Sequence, residues 1–295
     1  MRKRTIMGQV QSIEKRSDKK CLLRSDLDYC GIFGCIVLPS GNVIITDFYN
    51  RKVKTVNVDT GEVICSFMLT SGPSDVASIG ETKVAVTLTD ERKLQLLHVT
   101  EFDTYISLDY RIKVDGHCMG IDYDNDTFVV SFVNPPQVQL IHKDGIVLKT
   151  IVTDPSGYFI FRRPQSVCFS RDRNHFYCCD SENYEVMKIR RGDGQVVARN
   201  REIRQPTGVI ELPDDNILVV GGDTNAVHVL PPDCKVQTTV LSAKDGIGRP
   251  RALCLRQKGN RLFDLIISNQ NGSILSQYRV LFHSRRGLFD ITKYM

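Results

Sequence analysis

The feature that most constrains this chain is a polar residue that ends a short β-prone run and does so six times. Asp47 closes Val43-Ile-Ile-Thr46, Asp90 follows Val84-Ala-Val86, and Asn134 follows Phe128-Val-Val-Ser-Phe132. Asp180 closes Phe176-Tyr-Cys-Cys179, Asp223 follows Ile217-Leu-Val-Val220, and Asn269 closes Leu265-Ile-Ile-Ser268. Successive separations are 43, 44, 46, 43 and 46 residues. Each period holds roughly four short strands separated by Gly, Asn and Asp turns, residues that tolerate hairpin backbone angles. One such unit cannot bury both of its faces alone. A steady repeat of this length lets each unit cover the next, which is the signature of a β-propeller, and six landmarks predict six blades.

A second column of residues supports the period. Each unit opens with an inner strand whose second position is small or short: Gly34, Asp75, Gly120, Ser166, Gly208 and Ala252. Inner strands converge on the propeller axis, where large side chains have no room. Blade six ends one strand short, whereas Ile6–Ile13 has no blade of its own. The expectation is that this N-terminal strand completes blade six and closes the ring, removing an otherwise unpaired edge. The fold class is therefore all-β, a six-bladed propeller of four-stranded antiparallel blades. It forms a single domain over 1–295, with a core of about 6–282 and basic tails at 1–5 and 283–295.

No apolar run approaches the roughly 20 residues that span a bilayer, so no membrane partner is expected. The ten cysteines include no Cys-x-x-Cys pair, and several, such as Cys35, Cys168 and Cys254, fall inside apolar strands. Free cysteine there behaves as a small hydrophobe, so a reduced, cytoplasmic protein without a zinc site is expected. The sequons at Asn125 and Asn271 are then chance matches. Net charge is +5, but residues 1–20 carry seven basic and two acidic side chains and residues 279–295 carry four and one. The body is slightly acidic, which argues against a broad phosphate-tracking surface.

Blade four carries Phe161-x-x-Pro164, Asp180-x-x-Asn183, Val186 and Asp193-Gly194, and blade one carries Asp47-x-x-Asn50 with Val53. Blade five carries Gln205-Pro206-Thr-Gly208 with Asp223 and Asn225. In these residues the chain resembles an NHL-repeat propeller, the C-terminal domain of the tripartite-motif (RING/B-box/NHL) proteins of invertebrates. Blades two, three and six keep the strands without Asp-x-x-Asn, and no RING, B-box or coiled coil stands in this chain. Absence of Trp removes the WD-repeat alternative. The resemblance implies partner or substrate recruitment, linked to ubiquitin-ligase assemblies. Ligase activity would come only by association, so the chain itself is expected not to be an enzyme.

Asp47, Asn50, Asp180, Asn183 and Asp223 are expected to be structural, because an Asp at a strand end can accept backbone N–H bonds and fix the next loop. Binding is expected on the face built from the loops between second and third strands and those linking blades. These contain Tyr49, Arg51, Lys52, Phe159, Arg162, Arg163, Arg204, Arg249 and Arg251. The longest inter-blade loop adds Tyr158, and its aromatics beside arginines have the composition of an interface hot spot. A protein partner is the leading expectation. Single-stranded RNA is the alternative, because arginines beside aromatics also neutralise phosphates and stack bases. A metal-dependent propeller hydrolase or lyase is third, since the inner strands supply only Asp75 and Asp122, with His117 nearby, as ligands. No cofactor, metal or small-molecule substrate is expected. The opposite face, with Asp122, Asp124, Asp126, Asp214 and Asp215, is expected to be the acidic one.

Overall fold

The computed structural model describes residues 10–282 apart from 28, 101 and 236. Six four-stranded antiparallel sheets are arranged as blades, each built from consecutive hairpins. Blades one to five span 32–68, 73–113, 118–151, 164–200 and 206–241. Blade six takes Leu253–Gln257, Leu262–Asn269 and Ile274–Phe282 from the C-terminal part of the chain. Its outer strand is N-terminal, Val10–Lys19, antiparallel to Ile274–Phe282. The described part of the closing strand runs beyond the expected Ile6–Ile13, of which residues 6–9 lie outside the described residues. It continues through Glu14-Lys-Arg16 because an outer strand has one face in water and needs no continuous apolar pattern.

Six buried apolar clusters hold the ring, one between each pair of neighbouring blades. The cluster between blades six and one joins Ile32, Cys35 and Ile45 to Cys254, Ile266 and Leu275. Second strands such as Val43–Asp47 and Ile217–Gly221 are buried along their whole length, whereas outer strands such as Ile106–Lys113 are half exposed. All ten cysteines are free thiols. Burial pushes those of Cys21, Cys30 and Cys118 up to about 12, consistent with packing groups.

The small residues on the inner strands have a specific cause. Blades one, two, three, four and five all break register at this point, between Ile32 and Gly34, Pro73 and Val76, Cys118 and Ile121, Pro164 and Ser166, and Pro206 and Gly208. These bulges bring neighbouring blades together backbone to backbone. A Cβ on Gly120 would lie 2.5 Å from the Gln165 carbonyl oxygen, and one on Gly208 would lie 2.8 Å from that of Arg251. Hydroxyls complete the seams. Thr46 Oγ1 donates to the Ser74 carbonyl, Thr87 Oγ1 to that of Met119 at 2.6 Å, and Ser268 Oγ to that of Ile32.

The register corrects three of the six landmarks. The residues paired with the start of the inner strand are Asp47, Leu88, Phe132, Asp180 and Gly221. Asp90, Asn134 and Asp223 stand two residues later, in the turns. Asp223 is exposed and accepts no hydrogen bond among the described residues, so it does not share the structural role of Asp47 and Asp180. A polar residue marks the existence of a turn, whereas its place within the turn depends on turn conformation.

Candidate interaction face and axial channel

Antiparallel order places the loops between second and third strands, and those linking blades, on one face of the disc. The other hairpin loops form the opposite face. On the first face the Asp-x-x-Asn residues tie two loops together. Asp180 accepts the backbone N–H groups of Arg162 at 2.7 Å, Arg163 at 3.0 Å and Asn183 at 2.9 Å. The Asn183 side chain donates to the Ile160 carbonyl at 3.2 Å. In blade one, Asp47 accepts from Gly31 at 2.9 Å and from the Asn50 side chain at 2.8 Å. Asn50 in turn binds the Leu27 N–H and the Tyr29 carbonyl. These side chains bind the backbone of the loops that precede blades four and one and so tie the loop face to the strand ends.

Four turns on that face share one conformation. Arg51, Arg92, Tyr184 and Asn225 hold the same turn position with φ of 53°, 54°, 56° and 48°. Such left-handed backbone is uncommon outside glycine. Arg51, Tyr49 and Tyr184 are exposed. The loop before blade four is equally well defined. Asp154 Oδ1 accepts the N–H groups of Ser156 and Tyr158, and Thr153 pairs with Phe159 across the loop. That order holds Tyr158 and Phe159 at 73% and 81% exposure while Phe161 is buried.

Lys52 is a correction. It faces inward, 4% exposed, with its ammonium 2.5 Å from Asp26 and 2.8 Å from the Ser25 hydroxyl. Adjacent Lys54 is fully buried, 2.5 Å from Asp26 and 2.6 Å from Asp47. Burial pushes the Asp26 carboxyl up, but Lys52 and Lys54 outweigh it and hold the group below the usual range. Asp26, Cys30 and Asp47 place ligand atoms within 4.8 Å of one another, as a metal site would. The positive charge such a cluster attracts is supplied by Lys54. The sequence shows this lysine only as a polar residue in an apolar strand, and its partner Asp26 lies in the segment before blade one.

An aromatic cluster unforeseen from the sequence packs around Phe33, which lines the channel. Phe33 stacks on Phe48 at 4.8 Å, and Tyr49 meets Phe33, Phe48 and Tyr29 edge-on at 5.7, 5.7 and 5.3 Å. The Arg251 guanidinium lies 3.9 Å from the Phe33 ring centroid, a cation–π contact across the closing seam. The channel, about 210 Å³, is lined by inner-strand residues of all six blades. Within it, Asp75 accepts N–H groups from Val76 and Ile121, and Asp122 from Tyr123 and Phe169. Both are half-buried. Burial, with the neighbouring Asp122 charge, pushes Asp75 up to about 7, and burial pushes Asp122 up to about 6.

The remaining site residues separate the two faces by how their charges are satisfied. Arg162, Arg163, Arg204 and Arg249 are exposed on the loop face and Arg251 is partly buried there. Arg163 pairs with Glu182 at 3.5 Å. Arg51, Arg92, Arg162, Arg204, Arg249 and Arg251 make no ion pair among the described residues. On the opposite face Arg173 and Arg191 pair with Asp124, Arg190 with Asp193, Lys143 with Asp126 and Arg256 with Asp59. That face is mixed and neutralised, not simply acidic as expected.

No family model matches the chain and no curated protein matches it. Solved structures do. The chain is similar to virginiamycin B lyase from Staphylococcus aureus, with TM-score 0.62 and 14% identity over 90% of this chain and 99% of that one. It is also similar to glutaminyl cyclase from Myxococcus xanthus, with TM-score 0.55 and 10% identity over 92% and 97%. A protein of unknown function from Bacteroides thetaiotaomicron has TM-score 0.67 and 14% identity over 90% and 72%. At such identities the likeness is one of fold alone, the β-propeller; the count of six blades is read from this chain's own sheets.

Proposed function

We propose that the protein is a non-catalytic recruitment module that binds a partner protein on its loop face. The observation that carries this reading is the set of arginines without ion pairs beside the rigidly held Tyr158 and Phe159. Arginine and aromatic side chains dominate interface hot spots, and a loop ordered in advance lowers the cost of binding. The Asp-x-x-Asn turns of blades one and four favour an NHL-type propeller of the tripartite-motif kind. In that setting the module works in the cytoplasm and delivers substrates to a ubiquitin ligase carried elsewhere. Two of the similar structures are a lyase and a cyclase, so catalysis is the competing reading. It ranks lower because Asp75 and Asp122 engage both oxygens with backbone N–H groups.

The test is affinity capture from extract of the cells that make the protein, with and without ribonuclease. The wild type is expected to retain partners after ribonuclease. Tyr158→Ala/Phe159→Ala/Arg162→Ala should lose them, and Arg173→Ala/Arg190→Ala on the opposite face should not. Partners that vanish with ribonuclease favour the RNA reading, and equal retention by both variants sinks the assignment of the face.

A further inference from the structure

Arg251 stands where blade six meets the channel, and its environment is incomplete. It is partly buried, its guanidinium lies over the Phe33 ring, and it makes no side-chain hydrogen bond or ion pair among the described residues. Burial disfavours its protonated form, Tyr49 opposes this and the nearby Arg163 charge adds to it, with a net downward shift. A guanidinium carries five N–H donors, and leaving them unmet away from bulk water is costly. The wall beside it is polar, with Arg249, Gln205, Asn271, Thr207 and Ser166. The mouth is therefore set for an anion that the chain itself does not supply.

The chemistry of that anion is narrowed by what lies around it. Asp75 and Asp122 line the same channel, so a dianionic phosphate monoester would be repelled more strongly than a singly charged group. A carboxylate carries one charge and matches the planar guanidinium fork with two parallel hydrogen bonds. The rim supplies Tyr29 and Tyr49, exposed by 51% and 42%, as apolar shelves for flanking residues.

We propose that Arg251, assisted by Arg249, receives the carboxylate of a Glu or Asp side chain on an extended segment of the partner protein. The segment crosses the Tyr29–Tyr49 rim and inserts that one side chain into the channel mouth. This rests on the loop-face recruitment reading and specifies the chemistry it selects.

The test uses a blocked tetraglutamate peptide and its tetraglutamine counterpart, titrated into 15N-labelled protein while the arginine Nε resonances are followed. Tetraglutamate is expected to shift the Arg251 Nε signal and tetraglutamine to leave it in place. Arg251→Gln should weaken tetraglutamate binding about tenfold or more, as for loss of a charged hydrogen-bond partner. Arg251→Lys should weaken it less, and Arg173→Gln on the opposite face should have no effect. Thermal melts confirm that each variant is folded. Equal binding of the two peptides, or tetraglutamate binding unchanged by Arg251→Gln, overturns the proposal. So does free glutarate binding as tightly as the peptide with no effect of Tyr49→Ala, which would make the pocket a small-molecule site. Octauridylate binding more tightly than tetraglutamate, and depending on Arg251, would assign the pocket to phosphate. Partner capture that survives Arg251→Gln but fails with Tyr158→Ala/Phe159→Ala/Arg162→Ala would leave recruitment standing and remove this pocket.

Discussion

The two faces of the disc use the same residue types in opposite ways. On the hairpin face Arg256, nearly buried, is 2.6 Å from both Asp59 and Asp264, and Gln277 also donates to Asp264 at 3.1 Å. There arginine is part of the scaffold. On the loop face the buried cations are lysines, Lys52 and Lys54, paired with Asp26 and Asp47. Of the arginines on that face, Arg163 pairs with Glu182 and Arg199 and Arg201 with Glu185, whereas Arg51, Arg162, Arg204 and Arg249 have no carboxylate partner among the described residues. Charges satisfied within the fold stabilise it or specify it, whereas charges left over remain available to a ligand. Arginine content alone therefore says little about a binding face.

The largest expected effect comes from breaking the ring that carries both faces. Removing residues 1–19 deletes the outer strand of blade six, strips Val10 from its cluster and exposes the edge of Ile274–Phe282. Cooperative unfolding in urea should be lost; an unchanged transition would refute closure by this strand. Next come the buried pairs, one per face. Lys54→Met leaves Asp26 and Asp47 short of a cation, and Arg256→Met leaves the buried Asp264 carboxylate unpaired. Each should cost about 3–5 kcal/mol in chemical denaturation. Only Lys54→Met should also loosen the segment carrying Tyr29, read as faster amide exchange at Leu27 and Tyr29. Equal exchange in both variants would show that the lysine latch does not organise the loop face.

A smaller effect follows from the channel between the faces. The folded-state values of Asp75 and Asp122, about 7 and about 6, lie above the ordinary 3.8. The native state then holds more protons than the unfolded chain over that interval, so their contribution falls as pH rises from about 4 to about 7. His228 acts in the opposite sense. Burial lowers it to about 4, so its contribution is present above 6.5 and is lost as pH falls toward 4. Asp75→Asn/Asp122→Asn should flatten the decline between about pH 4 and about 7 in a melting-temperature series, and an unchanged slope would place the protons elsewhere. The smallest effect is on the loop-face arginines themselves. Arg162→Ala/Arg204→Ala should leave the melting temperature unchanged, since exposed and unpaired side chains contribute little to folding. A marked drop would mean that they belong to the scaffold after all.

Much of the fold could be read before the structure was known. Six units and their turns followed from the period, and Gly34, Gly120 and Gly208 pointed to close approach at the axis. The structure supplied the mechanism, a bulge at one position in the inner strands of blades one to five. The landmark register was less legible: Asp47 and Asp180 end strands, but Asp223 stands in a turn of similar composition. Lys52 was misplaced because alternation decides which face of a strand a residue occupies, and a lysine at a strand end reads as solvent-facing. The deciding partner, Asp26, belongs to a segment without periodicity.

The sequence by itself determined the all-β repeat, the number of blades and the loops that share a face. Those features depend on local periodicity and turn chemistry, which neighbouring residues carry. Only the tertiary structure decided which charges are free. Ring closure brings Arg256 to Asp59, 197 residues apart in the chain, and Arg251 to Phe33. The first contact neutralises an arginine, and the second leaves one at a channel mouth with an aromatic ring and no counter-charge.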